Sequence, residues 1–211
     1  MIMKFFDYKA APSPRRARIL MAEKGIDIEI EQIDLGARAQ FDPAFKAINP
    51  RCTVPALQLD DGTVLCDNAS IARYFEEIYP DPPMLGRTPV EKALVAEWLA
   101  RVEGEGLMGV AEALRNRSEF FKDSSVTGPN RYAQVPELIE RGRARATACL
   151  HDLDTRLGEA AYLAGDAFSA ADIAAFVFVD FTAWIKLPMP EGLDNLARWR
   201  EAVAARPSIE A

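Results

Sequence analysis

Two places in the chain put polar side chains where a helix must begin. Ser13-Pro14 opens one helix, with a hydroxyl at the cap and proline in the first turn, and Asp67-Asn68 can cap another. A helix start presents unpaired N–H groups and partial positive charge, which suits a carboxylate. Either place also reads as a plain cap. The other reactive residue types are sparse. Cys52, Cys66 and Cys149 contain no CxxC, give no disulfide framework because their number is odd, and default to small inert residues. His151, the single histidine, lies among polar residues, so neither a metal site nor a Ser/His pair can be built on it.

The elements that must position these residues change character along the chain. Ile2 to Tyr8 is strand-like, the helix from Ser13 ends at Lys24-Gly25, and Ile26-Asp27-Ile28-Glu29-Ile30 alternates with the period of a strand that buries one face. A short helix follows around Pro43 to Ile48. Thr53 to Leu59 and Thr63 to Leu65 flank Asp60-Asp61-Gly62 as a hairpin, and the helix after Asp67-Asn68 carries Ile71, Tyr74, Phe75 and Ile78 at helical spacing. The order β-α-β-α-β-β-α, with Pro55 at the start of the third strand, is that of a thioredoxin-like domain. Past Tyr79-Pro80-Asp81-Pro82-Pro83 the pattern is helical throughout. Its clearest signal is Phe168-Ser169-Ala170-Ala171-Asp172-Ile173, a capping box with a hydrophobic staple that opens a strongly apolar helix. The expected organisation is an α/β domain over residues 1–80, a linker over 81–90 and an all-helical bundle domain over 91–211.

Composition bounds the function. The chain has 211 residues, 49% hydrophobic and 27% charged, ordinary for a globular protein with a sizeable core. Its net charge of −7 disfavours nucleic acid as a partner. The longest uncharged stretch, Cys52 to Leu59, is far shorter than the roughly 18 to 20 residues of a membrane helix. Lys4, Asp7 and Lys9 interrupt any secretory apolar run. These features lead to the expectation of a cytoplasmic protein in a reducing compartment.

Four segments together resemble the soluble glutathione transferase family across nearly the whole chain. They are Ser13-Pro14-Arg15-Arg16-Ala17-Arg18, Asn49-Pro50 followed by Thr53-Val54-Pro55-Ala56-Leu57, Leu65-Cys66-Asp67-Asn68-Ala69-Ser70-Ile71, and the capping box. The resemblance implies a thioredoxin-like domain plus an α-helical domain, assembled as a homodimer. It implies detoxifying conjugation of the glutathione thiolate to a small hydrophobic electrophile, with glutathione as co-substrate and no metal. Glutathione-dependent peroxidase, dehalogenase or isomerase chemistry on the same thiolate is an alternative, and so is a non-catalytic binding module.

The resemblance also distributes roles. Asp67 takes the γ-glutamyl ammonium, and Asn68, standing where the family usually has Ser, helps its carboxylate. The Val54–Pro55 bond is expected to be cis, exposing the Val54 main chain to the cysteinyl part. Gln40 is placed at the glycyl carboxylate, with Arg38 and Lys46 as alternatives. Sulfur ionisation needs more, because a thiol of pKa near 8.5 is only about 3% thiolate at pH 7. Lowering that pKa by two units takes about 2.7 kcal/mol of preferential stabilisation.

Ser13 is one candidate for that task and Tyr8 another. The first-helix motif is similar to an atypical branch in which helix-end amides and water do the work instead of a Tyr, Ser or Cys. All three remain open at this point. Met108, Arg115, Asn116, Phe120 and Trp184 are the candidates for the electrophile wall, each also readable as packing.

Overall fold

The computed structural model describes residues 3–211, so Ile2 of the expected first strand lies outside the described residues. The chain divides into two compact units. One runs to Pro82 and includes Thr127–Asn130 and Glu210–Ala211; the other comprises Pro83–Val126 and Arg131–Ile209.

The first unit is built on β1 (Lys4–Asp7), whose Phe5 and Phe6 are fully buried. Helix α1 (Pro12–Glu23) carries the chain to β2 (Glu29–Gln32), which pairs parallel to β1. After α2 (Pro43–Ile48), β3 (Ala56–Gln58) pairs antiparallel on the other side of β1, and β4 (Val64–Leu65) pairs antiparallel with β3. The sheet order is β2-β1-β3-β4, and α3 (Asn68–Ile78) packs on α1. Only the parallel pair needs a helical crossover; the β3–β4 turn closes tightly, with Gly62 at φ 86°.

Two local expectations are corrected. The alternating run from Ile26 does not form a half-buried strand: β2 begins at Glu29 and is exposed throughout. It is an edge strand paired only with β1, with Lys4 Nζ 2.8 Å from Glu29 and 3.1 Å from Glu31, while Ile33 beyond it enters the core. Helix α1 begins two residues earlier than a serine cap at position 13 requires. Ala11 is its N-cap, without a side-chain bond, and Ser13 lies inside the first turn between Pro12 and Pro14. At its other end the fully buried Lys24 ammonium is satisfied by Glu76 at 2.8 Å and by the carbonyls of Tyr79 and Pro82 at 2.7 Å each. A lysine is buried only with partners of this kind.

The second unit is helical: α4 (Pro89–Arg101), a π turn over Val102–Leu107, α5 (Met108–Arg117), α6 (Glu137–Leu157), α7 (Ala170–Phe181) and α8 (Asp194–Ala204). Helices α5 and α6 cross at Gly109 and Gly142, where a Cβ on Gly142 would come within 2.8 Å of the Ala113 nitrogen. Helix α7 is buried on nearly every side, as its apolar composition dictates. Its start is pinned by Asp172, which is 0% exposed. That carboxylate accepts from Leu163 N at 3.0 Å, Ser169 N at 3.1 Å, Ser169 Oγ at 2.9 Å and Trp199 Nε1 at 3.1 Å. Burial pushes its carboxyl up to about 6, with these donors pulling the other way.

Asp172→Ala leaves two main-chain N–H groups and an indole N–H buried without acceptors. The expected loss is on the order of 3 kcal/mol or more, read as a lower midpoint in urea denaturation. Asp166→Ala, at an exposed position, should shift stability by no more than about 0.5 kcal/mol.

Candidate functional site

The loop between β1 and α1 is fixed from below by a buried polar cluster. Asp7, 1% exposed at the end of β1, accepts from Arg18 Nη1 at 2.5 Å and from Gln32 Nε2 at 2.6 Å. Arg18 Nη2 also donates to the Lys9 carbonyl at 3.0 Å, and Gln32 Oε1 accepts the Lys9 N–H at 2.9 Å. One carboxylate, one guanidinium and one amide thus tie β1, α1, β2 and the Lys9 main chain together. A charge pair of this kind is tolerated inside because nearly every lone pair and N–H has a partner.

Above this clamp the start of α1 is poor in donors. Pro12 and Pro14 have no N–H, and the Arg15 N–H goes to the Ala11 carbonyl at 3.4 Å. Among the described residues, Ser13 is left as the one residue of this first turn with a free main-chain N–H and a hydroxyl. Its Oγ accepts a hydrogen bond of 2.9 Å from Asn68 Nδ2, at the start of α3. Asp67 caps α3, its Oδ1 accepting the Ser70 N–H at 2.7 Å. Two helix N-termini, one from each expected anchor, are therefore joined through side chains.

The chain enters β3 through a second braced loop. Asn49, 0% exposed, donates from Nδ2 to the Thr53 carbonyl at 2.8 Å, and its Oδ1 accepts the Arg51 N–H at 3.0 Å. Cys52 has φ 53° in this turn, and the Val54–Pro55 bond is cis. β3 starts only at Ala56, and no backbone hydrogen bond joins Val54 to another described residue. Val54 belongs to a cluster with Phe6, Ile33, Phe45 and Ala56, and Tyr8, Leu35 and Ala39 pack against it. A Cβ on Gly36 would lie 3.6 Å from the Tyr8 hydroxyl, which places that oxygen beside the loop after β2.

Gln40 lies in the turn Ala39–Phe41 with its Oε1 buried and without a partner, and Asn68 Oδ1 is in the same condition. Buried polar atoms are as a rule hydrogen-bonded, so these two acceptors are the ones a polar ligand would satisfy. Arg38 and Lys46, the alternatives to Gln40, are exposed.

The electrophile-wall candidates separate into two kinds. Arg115 donates to the Ser124 carbonyl at 2.7 Å and lies 4.3 Å from the Phe121 ring centroid, and burial lowers its pKa. Asn116, 7% exposed, accepts the Val135 N–H at 2.8 Å. Both side chains hold the segment between α5 and α6, as does Gln134, which donates to the carbonyls of Arg115 and Ser118 at 2.7 and 2.8 Å. Met108, Phe120 and Trp184 instead leave apolar surface exposed, Trp184 standing edge-on to Phe181 at 5.4 Å.

The three cysteines are buried or half-buried. Burial pushes the Cys149 thiol up to about 12, and burial also raises Cys66 although Arg51 opposes it. Cys52 is buried with Sγ 3.6 Å from the Pro50 carbonyl. Among the described residues no cluster of His, Cys, Asp and Glu could hold a metal ion, and no helix is long and apolar enough to cross a membrane.

Sequence reasoning missed the positioning residues Asp7, Arg18, Gln32 and Asn49. A signal was there for two of them: Asp7 ends an apolar strand, and Arg18 precedes Ile19-Leu20-Met21 on the buried face of α1.

Comparison with known proteins converges on one family. The N-terminal domain model of the glutathione S-transferases matches residues 11–78, and their C-terminal domain model matches residues 116–207. Glutathione S-transferase 2 of Saccharomyces cerevisiae is 34% identical over 212 residues, covering 99% of this chain and 88% of that protein. The crystal structure of Gtt2 from Saccharomyces cerevisiae superposes with a TM-score of 0.89 at 33% identity, covering 98% of each chain. A glutathione S-transferase domain-containing protein of Marinobacter aquaeolei gives a TM-score of 0.86 at 34% identity over 98% of this chain and 99% of its own. With the expected thioredoxin-like sheet and helical bundle both present, the chain belongs to the glutathione S-transferase family of enzymes.

Proposed function

We propose that this enzyme conjugates glutathione to small hydrophobic electrophiles, and that Ser13 holds the thiolate. The observation that carries the assignment is the pair of prolines around Ser13. They strip the start of α1 of donors, so helix-end amides offer little to a sulfur anion apart from the Ser13 N–H itself. Ser13 adds a hydroxyl to that amide at the positive end of the helix, and charge-assisted bonds of this type are the strong ones. Tyr8 is the weaker candidate because it precedes α1 and so lies outside the helix's first turn.

In this reading Asp67 pairs with the γ-glutamyl ammonium and Asn68 approaches the γ-glutamyl carboxylate. Val54 pairs its main chain with the cysteinyl part, next to Pro55, and Gln40 serves the glycyl end. Residues 1–80 bind glutathione; residues 91–211 bring the electrophile, with Met108, Phe120 and Trp184 as apolar surface and Arg115 and Asn116 fixing the segment beside them.

The reaction follows from ionisation and proximity. The thiol proton leaves to water as Ser13 stabilises the sulfur anion. The thiolate lone pair then forms a carbon–sulfur bond while the leaving group departs with its electron pair. An apolar wall distinguishes one methylene by only about 1 to 3 kcal/mol, which favours a broad range of electrophiles. We place the enzyme in the cytoplasm as a homodimer, in keeping with its family.

A second reading has a specific observation in its favour. The maleylacetoacetate isomerase of Pseudomonas aeruginosa is 39% identical over 95 residues, 43% of this chain. The same thiolate adding to an activated double bond and leaving again would isomerise it without consuming glutathione.

With an aryl halide as electrophile, Ser13→Ala should lower the conjugation rate about tenfold or more and raise the apparent pKa of bound glutathione, followed by thiolate absorbance. An unchanged pKa removes Ser13 from the role. Asp67→Ala should weaken glutathione binding by roughly 10- to 100-fold in calorimetry. Turnover of a cis-configured unsaturated diacid with no loss of glutathione would favour the isomerase reading instead.

A further inference from the structure

We infer that Asn68 is a positioning residue for the Ser13 hydroxyl, in addition to any contact it makes with glutathione. The inference rests on the assignment of the thiolate to Ser13 and concerns how that hydroxyl is made ready.

A serine hydroxyl has one proton to give and two lone pairs with which to accept. Asn68 Nδ2 occupies one lone pair at 2.9 Å, and no described residue accepts the Ser13 proton. The oxygen is thus fixed from one side while its proton is turned away from Asn68 and left unopposed. A hydroxyl that already accepts a hydrogen bond also donates a stronger one, by about 10–30%. Both effects exist before glutathione arrives, so no reorganisation is needed as charge develops on sulfur.

The residue type at position 68 suits this task. The amide reaches across from α3 to α1 and presents an N–H, with its Oδ1 buried and unpartnered on the far side. An aspartate there would present only acceptors; it would draw the Ser13 proton to itself and add a negative charge beside the thiolate. A serine, the usual family residue, is one atom shorter and falls short of Ser13 Oγ. The fixed charge nearest in sequence is Asp67, which is already engaged as the α3 cap through the Ser70 N–H.

The test is the pH titration of thiolate absorbance with glutathione held at saturation, in the full-length enzyme and its Ser13→Ala, Asn68→Ala, Asn68→Ser and Asn68→Asp variants and the Ser13→Ala/Asn68→Ala double variant. Asn68→Ala and Asn68→Ser should each raise the apparent pKa of bound glutathione by about half a unit or more, and Asn68→Asp by more than either. The double variant should show no rise beyond Ser13→Ala alone, because Asn68 acts through the hydroxyl. Asn68→Ser keeps a hydroxyl at the start of α3, so it remains informative if Asn68→Ala fails to fold.

If Ser13→Ala leaves the pKa unmoved, the thiolate assignment and this inference both fall. If Ser13→Ala raises it but the Asn68 variants do not, or if their shifts add to that of Ser13→Ala, the assignment stands and the inference is overturned. A lower pKa in Asn68→Ala would mean that the Ser13 proton points at Asn68, which also overturns it.

Discussion

The buried Asp7–Arg18 pair is the interaction on which the candidate site depends. Its guanidinium, with one Nη on Asp7 and the other on the Lys9 carbonyl, fixes where β1 ends and how the chain turns into α1. Gln32 closes the arrangement from β2, accepting the Lys9 N–H and donating to Asp7. Two charges with nearly complete partners can be buried in this way; either one alone would leave a cost of several kcal/mol. What the pair secures is the placement of a helix N-terminus, and the proposed chemistry of Ser13 inherits it.

A helix N-terminus is usually generous with N–H donors, and this one is not. Proline at the first and third positions of α1 concentrates the remaining donors on the serine between them. The cost is a helix without a side-chain cap at Ala11. In exchange, the N–H and O–H left at this helix start belong to one residue, and that residue is held by a neighbour on α3. The second loop of the candidate site shows similar economy. Asn49 satisfies both Thr53 and Arg51, so the turn holding Cys52 at positive φ is braced by a buried side chain.

The helical unit solves its own problem differently. An apolar helix such as α7 buries easily, but the N–H groups at its start must go somewhere, and Asp172 gathers those of the preceding turn together with the Trp199 indole. Arg115, Asn116 and Gln134 do comparable work between α5 and α6, where no regular ladder exists to satisfy the main chain. Polar side chains that look available for chemistry in a linear reading are committed here to backbone groups.

The linear sequence made the order of elements legible, because the alternation of strand and helix periods, the Asp-Gly turn and the capping box are local signals written in neighbouring residues. It placed α3 after Asp67 and α7 after Ser169, since a cap and its first turn lie within four residues of each other. It misplaced β2, where the alternation of Ile26, Ile28 and Ile30 suggested a buried face, whereas the strand runs from Glu29 to Gln32 with every residue exposed. The partners were settled by the folded chain. Asn68 meets Ser13 across 55 residues, Gln32 meets Asp7 across 25 and Trp199 meets Asp172 across 27. A hydrogen bond has a length and a direction but no sequence separation, so the choice among many polar side chains is made only when the fold brings two of them within about 3 Å.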